Sequence, residues 1–130
     1  MKKIFLLLAV AYILMSCDPP HDIFFKNRTE HPAKVILKIK NEPETYDLAA
    51  LVTGDSLVLN VSPETEQHIS FGIGTWSDEE IQLVSSDIKS IVIKTNDKTV
   101  IYDNQAQIKN LLTENENGFP HTKIKIDIEE

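Results

Sequence analysis

Near the end of the chain, Ile124, Ile126 and Ile128 alternate with Lys123, Lys125 and Asp127. A period of two is the geometry of a half-buried β-strand, because successive side chains leave the backbone on opposite sides. The same alternation recurs at Val35, Leu37 and Ile39, at Leu57, Leu59 and Val61, and at Ile69, Phe71 and Ile73. Residues 23–27, 88–94 and 99–102 read as further strands. Turn chemistry separates these blocks. Residues 27–32 are polar and end in Pro32, residues 41–44 contain Pro43, and residues 62–66 contain Pro63. Residues 95–98 form a hairpin turn, with Asn96 and Asp97 where positive φ is tolerated.

Two segments carry helical signals. Ser77 as N-cap and Glu80 three residues on make a capping box, and Trp76 and Ile81 occupy hydrophobic-staple positions. Asp78 and Glu79 suit the positive end of the helix dipole, and the helix is expected to run to Ser85. Residues 104–113 place Ile108, Leu111 and Leu112 on one side of a second helix. Residues 45–52 fit either a short strand or a helical turn, and residues 114–120 read as a loop. The pattern predicts a mainly β chain, an immunoglobulin-like two-sheet sandwich of about seven strands with one or two short helices. No Cys-Trp-Cys pattern is present, so the immunoglobulin likeness is one of architecture.

The first residues read differently. Lys2 and Lys3 precede an uncharged apolar run, residues 4–15, and the run ends at Leu14-Met15-Ser16-Cys17. That order fits a secretory signal. The run is shorter than the roughly 20 apolar residues that cross a bilayer, and Asp18-Pro19-Pro20 stops any helix there. Leu14-Met15-Ser16-Cys17 resembles the lipobox of bacterial lipoproteins. The resemblance implies cleavage between Ser16 and Cys17, and diacylglyceryl transfer and N-acylation (palmitate) at Cys17. An ordinary signal with a free cysteine and an uncleaved anchor are the alternatives. Cys17 is the chain's one cysteine, so no disulfide forms within it. The expected organisation is a signal peptide over residues 1–16, a lipidated Cys17 with a tether over 17–22, and one domain over 23–130. By polyproline rise the five residues after Cys17 reach about 15 Å, which keeps the domain near the bilayer.

The chain carries 20 acidic and 13 basic residues, a net charge of −7. Removing the leader takes away two lysines and no acid, which moves the balance to −9. Such a surface repels nucleic acid and anionic head groups, so neither is expected as a partner. The histidines, His21, His31, His68 and His121, form no zinc-type spacing, and no EF-hand, phosphate loop or nucleophile elbow is present. No metal, cofactor or catalytic residue is expected, and the chain is read as a non-enzyme. His68, beside Glu64 and Glu66, is a candidate ligand contact or a half-buried strand histidine. Trp76 and Tyr102, with Tyr46 and Phe119, are candidates for an aromatic platform, although Trp76 also has a core role as staple. Asp55-Ser56-Leu57 resembles the short O-glycosylation signal of Bacteroidetes-type envelope proteins, which implies modification of Ser56.

Taken whole, the leader and the short Lys/Asn/Asp-rich strands resemble small Bacteroidetes-type lipoproteins. The functional expectation is a lipid-anchored cell-envelope protein, a non-catalytic binding or structural module. Its contact with an envelope protein or glycan would be a sheet edge or the face of residues 67–74. A glycan-binding accessory protein using Trp76 is the alternative, and a hydrolase is a more distant one. Localisation is expected at the outer membrane or its periplasmic face. Asp18 directly after the cysteine leaves the inner membrane open, by resemblance to the enterobacterial sorting signal.

Overall fold

The computed structural model describes residues 20–40, 55–118 and 122–130. The leader, Ser16 and Cys17, the ambiguous residues 45–52, and Tyr46 and Phe119 lie outside the described residues. Among the described residues, eight strands form two four-stranded sheets packed together, with two helices, consistent with a β-sandwich. Sheet A has the order β4-β1-β8-β7, from β1 (Pro20–Asn27), β4 (Glu66–Ile73), β7 (Glu116–Asn117) and β8 (Lys123–Ile128). Sheet B has the order β3-β2-β5-β6, from β2 (Ala33–Ile39), β3 (Ser56–Val61), β5 (Ile88–Lys94) and β6 (Thr99–Tyr102). Helix α1 (Asp78–Asp87) links the two sheets, and α2 (Gln105–Glu114) returns the chain to sheet A.

The alternating positions fill the space between the sheets. Val35, Leu37, Leu57, Val61, Ile69, Phe71, Ile124, Ile126 and Ile128 are all buried, together with Ile108, Leu111 and Leu112 of α2. Each fully buried isoleucine or leucine contributes about 1.5–3 kcal/mol by transfer from water. Sheet B is antiparallel throughout. In sheet A, β1 is antiparallel to β4 but parallel to β8, with Ile23 beside Ile124 and Phe25 beside Ile126.

Four details depart from the sequence-based expectation or add to it. First, β1 opens at Pro20, so Pro20, His21 and Asp22 belong to the domain and not to a tether. His21 and Asp22 are buried because the ring of His21 stacks on Trp76 at 4.2 Å and its Nε2 lies 2.6 Å from Thr75 O. Trp76 Nε1 donates to Asp22 O at 3.3 Å, which ties the same segment down again. Second, Ile73 is 74% exposed instead of sharing the inward face of Ile69 and Phe71. The register with β1 slips between Asp22–Ser70 and Pro20–Ile73, so β4 carries one extra residue there. Gly72 sits in that bulge at φ +113°, and the extra residue turns Ile73 to the outside. Third, a slip between Lys38–Ser90 and Ile39–Ile88 bulges β5 and lets Ile88 and Ile91 both face inward, three residues apart. Fourth, the segment read as a loop after α2 contains the two-residue strand β7.

Helix α1 runs two residues beyond Ser85, to Asp87. Ser77 Oγ accepts from the Glu80 N–H at 3.2 Å, as the capping signal predicts. The Ser77 N–H turns to Thr75 O at 3.1 Å, so only this half of the capping box forms. Trp76 and Ile81 are both buried, at the two ends of the expected staple. Asn104 caps α2 by accepting from the Gln107 N–H at 3.0 Å.

Candidate functional site

The outer face of sheet A is built from the residues that alternate with its core positions. On β1, Ile23 and Phe25 point inward, so Phe24 takes the outward parity together with Asp22 and Lys26. Register sets the neighbours of Phe24: His68 of β4 on one side and Lys125 of β8 on the other. The rings of Phe24 and His68 lie 5.3 Å apart and tilted by 35°. Lys123 Nζ stands 5.4 Å from the Phe24 ring centroid, within cation–π range. Lys125 Nζ lies 3.4 Å from Glu66 Oε2, an exposed pair that spans from β8 to β4 over β1. Pairs of this exposure contribute about 0–1 kcal/mol, so its main effect is to position the two side chains.

A cleft of about 310 Å³ opens beside this row, lined by Phe24, Glu66, Asn117, Gly118, Lys123 and Lys125. It combines an aromatic floor with a rim of charged and amide groups, the usual make-up of a small binding site. At the end of the same row, Asp22 stands between Ser70 and Lys123 in register. Asp22 is 7% exposed, and its Oδ1 has no hydrogen-bond partner. Buried acceptors are satisfied in the great majority of cases, so this sealed oxygen is an uncompensated polar atom beneath the row and not a surface contact.

The residues singled out from the sequence do not converge. His68 is exposed on β4, and its ring contact is Phe24. Trp76 is 2% exposed, stacked on His21 and edge-on to Phe71 at 6.2 Å. Its ring is a core element and offers no face to a sugar, because the staple position draws it inward. Tyr102 is on β6 of the other sheet, half-buried beside a second cleft of about 300 Å³ with Ile93, Leu111, Glu114 and Ile126. Ser56 opens β3, and its Oγ donates to Asp55 Oδ1 at 2.8 Å. That bond, with attraction from Lys38 and against partial desolvation, holds the Asp55 carboxyl below the ordinary aspartate value. Sequence reasoning missed Phe24, Lys123 and Asp22. The Phe24-Phe25 doublet was the available signal, since adjacent strand residues cannot both face the core.

Among the described residues, no group of three or more His, Cys, Asp or Glu side chains is placed to hold a metal ion. No helix among them is long and apolar enough to cross a membrane. Comparison with known proteins found no matching family model, no matching curated relative and no matching solved structure.

Proposed function

We propose that this chain is a lipid-anchored cell-envelope protein whose β-sandwich is a non-catalytic binding module, and that it makes contact through the outer face of sheet A. The observation that carries the reading is the outward Phe24, flanked by His68 and Lys123 beside a cleft. An aromatic surface bordered by both charge signs suits a peptide or small polar ligand with an apolar part. The β4 strand at this face is a sheet edge, which adds backbone donors and acceptors for an extended partner.

The anchor follows from the lipobox-like Leu14-Met15-Ser16-Cys17. Because β1 opens at Pro20, only Asp18 and Pro19 separate Cys17 from the domain. By extended rise they span about 6 Å, so an anchored domain stands against the bilayer surface. The anchor is tested by Cys17→Ser. The variant is expected to leave the membrane fraction for the soluble one, and continued membrane fractionation would refute lipidation. The contact face is tested in cells with a photo-crosslinking residue at position 68. A discrete adduct is expected there, lost with Phe24→Ser, whereas adducts that ignore Phe24→Ser would place the contact elsewhere.

A further inference from the structure

A further hollow lies on sheet B, between the β1–β2 turn and the β5–β6 hairpin. It measures about 420 Å³ and is lined by His31, Lys34, Ile36, Lys94, Thr95 and Asn96, with no carboxylate in its wall. We propose that this hollow binds a phosphate group carried on an apolar body.

Lys34 and Lys94 are direct cross-strand partners. Side chains so paired have Cβ atoms about 4.5–5.5 Å apart, and like charges at that position oppose folding. Neither lysine has an ion pair among the described residues, and the sequence neighbours Glu30 and Asp97 do not line the hollow. Two directly paired lysines with no counter-charge among the described residues stand out in a chain of net charge −7. Bringing an anion between them removes the repulsion and forms charge-assisted hydrogen bonds. Lysine acts here as a point-charge ligand, and a phosphate offers enough oxygens to serve both ammonium groups and the neighbouring Asn96 and His31 donors.

Both rims are set before any ligand arrives. On one side, buried Asn27 donates from Nδ2 to His31 O at 2.7 Å and to Val61 O at 2.9 Å, fixing the turn that carries His31. On the other, Thr95 N donates to Lys98 O at 2.9 Å, and Lys98 N donates back to Thr95 Oγ1 at 3.2 Å. The floor continues out of the hollow as an apolar row. Ile36 pairs with Val58 on β3 and with Val92 on β5, and Val92 pairs with Ile101 on β6. Val58 and Ile101 are 49% and 55% exposed. An anion pocket that opens onto a four-residue aliphatic row fits an amphiphile better than a bare ion. A phospholipid head group and a soluble phosphorylated compound share this chemistry, and the inference stands independently of the Cys17 anchor.

The test uses the full chain in a neutral-detergent micelle, with backbone amide shifts read during two titrations. The probes are inorganic phosphate and the short-chain lipid dihexanoylphosphatidylglycerol. Saturable shifts at Lys34, Lys94, Thr95 and Asn96 are expected. Shifts that spread to Val58, Val92 and Ile101 with tighter binding of the lipid identify a lipid source. Binding confined to the hollow, with phosphate as tight or tighter, identifies a soluble phosphorylated compound. Combined Lys34→Gln and Lys94→Gln is expected to weaken binding by about tenfold or more. Its thermal midpoint should hold or rise, since a like-charge pair is removed, so lost binding is not lost fold. Lys38→Gln, four residues from Lys34 on the same face, should leave the affinity unchanged. Absence of saturable shifts with either probe overturns the proposal, as does unaltered affinity in the double variant or an equal loss with Lys38→Gln.

Discussion

Asn27 is the most heavily committed polar side chain in the fold. It is fully buried, donates twice from Nδ2, and accepts through Oδ1 from Thr29 N at 2.9 Å and Thr29 Oγ1 at 2.8 Å. One amide therefore ends β1, shapes the turn and joins sheet A to β3. Asn27→Ala leaves several buried groups without partners, at about 1–3 kcal/mol for each uncompensated group. Chemical denaturation should show a loss of about 2–4 kcal/mol. Ser56 offers a milder test at the same scale. Its hydroxyl is the foremost cause of the lowered Asp55 pKa, so Ser56→Ala should move that pKa up toward the ordinary aspartate value, as followed by carboxyl carbon shifts. The sign for stability follows. A depressed carboxyl favours the folded state above its unfolded pKa, and that preference disappears as pH falls through the folded value. Glycosylation at Ser56 would consume the same hydroxyl proton and shift Asp55 in the same direction.

The bulge in β4 shows how one residue re-aims a whole strand end. Gly72 has φ +113°, and a Cβ built there meets nothing within 4 Å, so any penalty for a side chain is one of backbone conformation. Gly72→Ala is expected to cost about 1–3 kcal/mol in a thermal or denaturant melt despite the open space. Bulges also mark what was readable in advance and what was not. Strict alternation identified β2, β3 and β8 and their inward faces, and helical spacing with Ser77 and Asn104 identified α1 and α2, because those signals are local. Ile73 was misplaced because a period-two reading of residues 67–74 carries no sign of an inserted residue. The start of β1 was hidden by Pro19-Pro20, which reads as linker. Partners distant in sequence, Thr75 and Trp76 beside the ladder partners Ser70 and Lys123, draw His21 and Asp22 into the fold. The same limit applies to both hollows. Phe24 meets His68 and Lys123, and Lys34 meets Lys94, through register between strands far apart in sequence.

At the scale of the whole molecule, sheet A depends on its last strand. β8 lies between β1 and β7 and contributes Ile124, Ile126 and Ile128 to the core. Those three side chains represent about 5–9 kcal/mol of transfer free energy, comparable to the entire stability of a small domain. A chain ending at Thr122 is expected to lose its cooperative unfolding transition and its native near-ultraviolet circular dichroism from Trp76. The parallel pairing of β1 with β8 has a kinetic side as well. The two strands are separated by nearly the full length of the chain, so this pairing has the highest contact order in the fold. Loop-closure entropy must be met before that pair is rewarded. The β2–β3 and β5–β6 pairs and the two helices can form from nearer neighbours, while one side of β1 waits for β8. As long as β8 is undocked, Ile23 and Phe25 lie beside an open sheet edge that another chain could occupy, so docking of the last strand is also what shields this chain from edge-to-edge association.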